Sequence, residues 1–183
     1  MQRANLLLAI ALGCAIWPRQ AQAGDGPVFE WQQSNWRLEL SLMHGVDSGR
    51  RDREEDWSAA AVFDYEVPFG SDAAVLDRST FGFRLRPIMY YYAEEPDDNI
   101  FGAGGGFAMR IYSHKDTKSG FFGEIAEEVL FHTPKFEGNS TSFNFMSQFG
   151  VGYQSQKSWF ATLRFHHMSN AGLGDDNAGV NGA

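Results

Sequence analysis

The chain has 183 residues, with 15 basic and 23 acidic side chains and a formal net charge of −8. That length suits one domain, and the acidic balance excludes nucleic acid as an expected partner, because a nucleic-acid binder needs a basic face. The composition includes 16 Phe, 5 Trp, 6 Tyr and 20 Gly. Such a composition, with no apolar run long enough for a membrane-spanning helix, is typical of an outer-membrane β-barrel.

Residues 1–23 have the pattern of a cleaved secretory signal peptide. A positively charged start is followed by an apolar run from Leu6 to Trp17, and Ala21-Gln22-Ala23 forms a small-x-small cleavage pattern. The run is too short to cross a bilayer, which takes about 20 residues. A lipoprotein site at Cys14 is the weaker alternative, because this cysteine lies inside the apolar run. Cleavage removes the single cysteine, so the mature domain, residues 24–183, is expected to fold without a disulfide.

Seven segments alternate between apolar and polar residues with a period of two, which is the pattern of β-strands with two different faces. The apolar members, in chain order, are Trp36, Leu38, Leu40 and Leu42; Phe63, Tyr65, Val67 and Phe69; Phe81, Phe83, Leu85, Met89 and Tyr91; Phe101, Phe107, Met109 and Ile111; Phe121, Ile125, Val129 and Phe131; Phe143, Phe145, Phe149, Val151 and Tyr153; and Trp159, Ala161, Leu163 and Phe165. The opposite faces carry Arg37, Glu39, Asp64, Glu66, Arg84, Arg86, Tyr90, Arg110, Glu124 and Glu128. A narrow barrel has no room inside for so many large apolar side chains, so we expect an apolar outside and a charged interior.

Two features complicate this pattern. Glu127 is the one charge on the apolar side of its strand, and a local β-bulge is the expected explanation. Seven strands do not close a bacterial barrel, which has an even number, and the sequence stops at Asn181-Gly182-Ala183, where an eighth strand would begin. We therefore expect an eight-stranded antiparallel transmembrane β-barrel that is truncated before its last strand. A soluble lipid-binding barrel with its apolar face inside is the alternative.

The connections predict how the strands run. Gly45–Trp57 is long and charged, Ala93–Asn99 and Pro134–Thr141 are polar, and Gln154–Lys157 is a tight turn. In outer-membrane barrels the short turns are periplasmic and the long loops extracellular. The seventh strand is therefore expected to end at the outer leaflet.

That strand end carries the candidate chemistry. His167 and Ser169 continue the apolar face of Leu163 and Phe165, so they should project side by side. A histidine beside a serine is the arrangement in which a base takes a proton from a nucleophilic hydroxyl. The structural alternatives are an interfacial aromatic ring for His167 and an ordinary turn entry for Ser169.

The segment from His167 to Gly172, His-Met-Ser-Asn-Ala-Gly, followed by Asn-Ala-Gly-Val-Asn at 177–181, resembles the signature of the outer-membrane lipid A 3-O-deacylases of the PagL type. The resemblance implies that His167 is the general base and Ser169 the nucleophile. It implies oxyanion-hole donors at Asn170 and Gly172.

In the same signature an acid orients the histidine, and its position here is Asn181. An amide oxygen can fix the imidazole tautomer but cannot neutralise an imidazolium. Asp175 or Asp176 therefore remains an alternative third member.

The resemblance implies an esterase that removes an acyl chain from lipid A, the membrane anchor of lipopolysaccharide, with no cofactor and no metal. A homodimer is a candidate assembly. His166 and His167 should point to opposite strand faces, so they cannot share a metal ion. Arg50, Arg51 and Arg53 could contact lipid phosphates, although a solvated mixed-charge loop is the favoured interpretation. The alternative function is a non-catalytic outer-membrane barrel whose outer loops bind a partner.

Overall fold

The structure, a computed structural model, describes residues 11–14, 36–46, 55–68, 78–93, 98–114, 119–156 and 159–183. The predicted all-β fold is confirmed. The strands are β1 (Ala11–Cys14), β2 (Trp36–His44), β3 (Trp57–Pro68), β4 (Ser79–Ala93), β5 (Asp98–Tyr112), β6 (Gly120–Thr133), β7 (Phe143–Gln154), β8 (Trp159–Ser169) and β9 (Val180–Gly182). No helix in the described part of the chain is long and apolar enough to cross a membrane.

The strands form one antiparallel sheet in which each strand pairs with its neighbour in sequence. β1 pairs with both β2 and β8, and β9 pairs with the end of β8. The end of β2 meets the chain beyond β9, where the His44 amide donates to the Ala183 carbonyl at 2.9 Å and the Ala183 amide donates back at 3.0 Å. The seven long strands, β2 to β8, therefore close into a ring of eight strands. The eighth position is filled by β1 beside the first part of β8 and by β9 beside its last part. β1 lies within the predicted signal peptide, which remains a prediction.

The exposure of the side chains confirms the prediction of an apolar outer face and a charged interior. Large apolar side chains cover the outer surface, where Phe121 is 71 % and Val151 64 % exposed. Glu66 and Arg110 are at most 1 % exposed in the interior. The alternative barrel with its apolar face inside is therefore wrong.

A network of ion pairs fills the interior. Arg86 binds Glu128 through two hydrogen bonds of 2.8 and 3.0 Å, and the Glu124 carboxylate contacts Arg110 and Arg164 together. The network joins five guanidinium groups to five carboxylates: Arg37, Arg84, Arg86, Arg110 and Arg164 with Glu39, Asp64, Glu66, Glu124 and Glu128. Because buried charges are tolerated only when they are paired, the equal numbers explain how a narrow barrel holds ten of them.

β4 departs from the predicted faces after Arg86. The pairing of β4 with β5 shifts register between Arg86 and Met89, and both Pro87 and Ile88 are exposed. This irregularity adds one residue to the strand, so every later side chain changes face. Met89 and Tyr91 are consequently buried inside, and Tyr90 lies outside, which is the reverse of the prediction.

β3 begins at Trp57, at the end of the predicted loop Gly45–Trp57. Its pairing with β4 shifts register between Ala61 and Phe63, because the added residue of β4 lies opposite. One further expectation needs correction, and one lies outside the described residues. Glu127 is exposed on the outer face, yet the pairing of β6 with both neighbours is continuous there. The predicted bulge at Glu127 is therefore wrong. Phe69 lies outside the described residues.

The interior is apolar at the end where β8 meets β9. Met43, Met89, Met146 and Met168 cluster there with Tyr91, Ile100, Leu130, Phe136 and Val180. Phe136 belongs to the connection between β6 and β7, and its ring packs edge-on against Tyr91 with centroids 4.8 Å apart. The connection thus folds over the barrel mouth, where it supports the turn that follows β8.

Candidate active site

β8 presents the predicted base and nucleophile on the outer wall. Successive strand residues alternate between faces, so His166 and Met168 point inward and are buried. His167 is exposed and Ser169 half-buried on the opposite, outer face. The structure therefore places His167 and Ser169 two residues apart on one surface, and it separates His167 from His166 as the alternation predicts.

Asn181 contacts the His167 ring. The two residues are direct partners in the ladder between β8 and β9, and His167 Nδ1 lies 2.7 Å from Asn181 Oδ1. Because the amide oxygen can only accept, it holds the proton on Nδ1 and leaves Nε2 as the basic nitrogen. Within the described chain, Ser169 makes no hydrogen bond with His167; catalytic hydrogen bonds often tighten only when substrate binds.

Gly179 lets the chain return close to this ring. Its φ is +69°, a left-handed conformation that favours glycine. A Cβ at this position would lie 3.3 Å from His167 Cε1. The absence of a side chain here allows β9 to approach and bring Asn181 to the histidine.

The turn after Ser169 is organised by Asn170, which is fully buried. Its side-chain nitrogen donates to Asn139 Oδ1 at 3.1 Å and to the Asp176 carbonyl at 2.8 Å. Its side-chain oxygen accepts the Gly172 amide at 2.9 Å, and its own amide donates to Asn177 Oδ1 at 3.1 Å. Asn170 therefore anchors the turn to the folded connection between β6 and β7.

These contacts use both of the amides predicted for an oxyanion hole, those of Asn170 and Gly172. Between them, Ala171 has a φ of +54°, which is uncommon for a residue with a side chain. Its amide is the one of residues 170–172 that makes no hydrogen bond with the described chain. A strained turn with one unengaged donor, two residues after the serine, can bind a developing negative charge.

Asp175 and Asp176, the alternative third members, are exposed in the connection to β9. The Asp176 backbone binds the Ser140 side chain and amide. The described structure contains no hydrogen bond between either aspartate carboxylate and His167. The geometry favours Asn181 as the partner of the histidine.

Two polar residues that the sequence reasoning did not assign to the site lie in line with His167. Ser147 is the ladder partner of His167 on β7, and Glu127 is the partner of Ser147 on β6. The Ser147 hydroxyl donates to Glu127 Oε2 at 2.9 Å. Glu127 was conspicuous in the sequence only as a charge on the apolar face, and its proximity to His167 depends on strand register.

Metal-binding residues are not clustered in the described part of the chain, where no three His, Cys, Asp or Glu side chains form a group that could hold a metal ion. Arg50, Arg51 and Arg53 lie outside the described residues.

The protein-family model described as lipid A 3-O-deacylase (PagL) matches residues 22–183 of the chain. The chain belongs to the PagL family. A search of curated proteins and a search of solved structures gave no match. The family relation makes the protein a hydrolase of the lipid A deacylase class.

The outer surface around His167 and Ser169 is apolar, which suits the lipid substrate of a PagL-family enzyme. Phe149 and Phe165 stack with centroids 5.4 Å apart on the same outer face as His167. Phe145 is the ladder partner of Ser169 and is also exposed. An acyl chain that lies along this wall would bury apolar surface while its ester reaches the serine.

Proposed function

We propose that the protein is a serine esterase of the outer membrane that removes the acyl chain ester-linked at position 3 of lipid A in the outer leaflet. The observation that supports this proposal most strongly is the 2.7 Å contact between His167 Nδ1 and Asn181 Oδ1 on the apolar outer wall. That contact leaves the second ring nitrogen free to act as a base, beside the half-buried Ser169. Membership of the PagL family supports the substrate class.

The proposed reaction has two stages. The Ser169 oxygen attacks the acyl carbonyl while its proton passes to His167 Nε2, and the resulting tetrahedral oxyanion collapses to an acyl-enzyme. His167 returns the proton to the sugar oxygen that leaves. A water molecule, deprotonated by His167, then attacks the acyl-enzyme, releases the fatty acid and restores Ser169.

The oxyanion is proposed to bind in the turn at residues 170–172. The Ala171 amide is the donor we favour, because the Asn170 and Gly172 amides already donate within the turn. For those two amides to contribute, the contacts of Asn177 and of the Asn170 side chain would have to open. Removal of one oxyanion donor typically slows turnover by about 10²–10³-fold.

The proposed location in the outer membrane rests on the two faces of the barrel. An apolar outer surface with a charged interior suits a barrel embedded in lipid. The substrate would then reach His167 and Ser169 by lateral diffusion without leaving the membrane. Export through a signal peptide cleaved after residue 23 is part of the proposal.

The test is to incubate purified protein in detergent with lipopolysaccharide and to analyse the lipid A by mass spectrometry. We expect loss of one ester-linked acyl chain, and no loss with Ser169→Ala or His167→Ala. Ser142→Ala is the matched control, since Ser142 is exposed in the connection between β6 and β7. Unchanged lipid A with the wild-type protein, or full activity of Ser169→Ala, would contradict the proposal.

A further inference from the structure

Glu127 is an exception on the outer wall. Of the Asp, Glu, Lys and Arg side chains in strands whose burial the structure describes, only that of Glu127 faces outward. Its neighbours on that face of β6 are the apolar Ile125 and Val129. A carboxylate on the apolar surface of a barrel is unfavourable, so we expect Glu127 to have a function there.

The ladder places Glu127 in one row with the candidate active site. The row crosses four strands, from Glu127 to Ser147, then His167, then Asn181. Adjacent strands lie about 4.8 Å apart, so the backbones of Glu127 and His167 are separated by roughly 10 Å. The hydrogen bond from the Ser147 hydroxyl, 2.9 Å long, holds the carboxylate on the side facing β8 and His167.

Asn181 brings no negative charge to His167. Its side-chain oxygen accepts a hydrogen bond from His167 Nδ1, but an amide cannot balance the positive charge that the ring acquires when it takes the serine proton. Among the described strand residues, the others facing His167 on the outer wall are Ser147 on β7 and Phe165 and Ser169 on its own strand. None of them carries a charge.

We propose that Glu127, held by Ser147, is a positioning residue that supplies the missing negative charge and stabilises the imidazolium form of His167 during the reaction. The inference depends on the proposed roles of Ser169 and His167. A charge about 10 Å away, in surroundings of intermediate polarity, is sufficient to change turnover by roughly tenfold. The effect should be on kcat, because the imidazolium exists only after substrate has bound and begun to react.

The experiment measures kcat and KM on lipopolysaccharide for the full chain in detergent, with folding of each variant checked by circular dichroism. Glu127→Gln should lower kcat about tenfold with KM within about twofold, and Glu127→Asp should retain most activity. Ser147→Ala, which keeps the charge but releases it, should give an intermediate loss. Glu137→Gln is the matched control, because it removes an exposed carboxylate from the loop between β6 and β7.

Rescue provides the decisive comparison. Asn181→Glu places a carboxylate directly on His167, so it should restore turnover to Glu127→Gln and should help the wild-type protein much less. An unchanged kcat in Glu127→Gln, a rise in KM alone, or an equal gain from Asn181→Glu in both backgrounds would overturn the inference. Ser169→Ala separates the two proposals. If that variant retains activity the proposed mechanism fails, whereas an inactive Ser169→Ala with a fully active Glu127→Gln refutes only the role of Glu127.

Discussion

His167 and Asn181 face each other across the ladder between β8 and β9, and the Asn181 oxygen lies 2.7 Å from Nδ1 of the ring. The two residues are 14 positions apart in sequence, and the turn built on Asn170 returns the chain between them. The orientation of the histidine is therefore set by a strand that contributes only three residues to the sheet.

Asn181→Ala should lower kcat by at least about fivefold, because it removes a hydrogen bond with a net value of about 1 kcal/mol and also releases the ring to rotate. Turnover of lipopolysaccharide in detergent is the measurement. Asp175→Asn and Asp176→Asn should leave kcat unchanged, since neither carboxylate contacts His167 in the described structure. A large loss in either aspartate variant, together with a fully active Asn181→Ala, would identify the loop acid as the partner.

Glu124→Gln should destabilise the barrel by about 3–5 kcal/mol, the usual effect of removing one partner from a buried ion pair. Glu124 contacts Arg84, Arg110 and Arg164, so three guanidinium groups lose a counter-charge together. The free energy of unfolding can be measured by urea titration in detergent. Glu55→Gln, at an exposed position, is the control. Equal stability of the two variants would show that the interior charges are not coupled as the structure indicates.

Gly106→Ala should prevent normal pairing of β5 with β6. A Cβ at Gly106 would lie 1.9 Å from the Glu127 carbonyl oxygen and 2.6 Å from Glu128 Cα, both of which belong to the backbone. We expect a loss of about 3 kcal/mol, the upper end of typical overpacking costs. Gly123→Ala on β6 is the matched control, because a Cβ there meets nothing within 4 Å. The comparison uses the yield of folded protein and its thermal midpoint, and a normal Gly106→Ala would refute the close approach.

Tyr91→Phe and Tyr90→Phe test the irregularity after Arg86. The buried Tyr91 hydroxyl donates to Asp56 at 2.5 Å, and a hydrogen bond to a charged group contributes about 1.5–3 kcal/mol. Tyr90 faces outward and its hydroxyl donates only to the neutral Asn99 side chain at an exposed position, so Tyr90→Phe should alter the free energy of unfolding by less than about 1 kcal/mol. If Tyr90→Phe were more destabilising than Tyr91→Phe in urea titrations, Tyr90 would be the inward residue, which would contradict the observed faces.

Most of the fold follows from alternation, because the residues of a strand with an apolar outer face and a polar inner face must alternate every two residues. That rule placed the ion-pair network and the outward His167 and Ser169 correctly. Alternation gave the wrong faces after Pro87. One added residue turns every later side chain of the strand to the opposite face, and the composition of the strand does not reveal it. β3 begins at Trp57, where the predicted loop ends, but its first residues show no alternation because residues 59–61 are all alanine.

The site could be predicted only in part. The spacing of His167 and Ser169 along one strand is local information, whereas the row from Glu127 to Asn181 depends on the register of four strands. The contacts of the turn are partly local, because the Gly172 amide donates to Asn170 Oδ1 two residues earlier and the Asn170 amide donates to Asn177 in the same connection. The bond from the Asn170 side chain to Asn139 joins two different connections. Sequence spacing does not specify that bond or the row of strands.

The ion-pair network described above also determines what cannot pass through the molecule. The ten charged side chains are each at most 5 % exposed and are tied to one another, so in the described part of the barrel they fill the interior and leave no water path across it. A planar bilayer containing the protein should therefore show no single-channel conductance. With the proposed location in the outer membrane, even many copies would leave the permeability of that membrane unchanged.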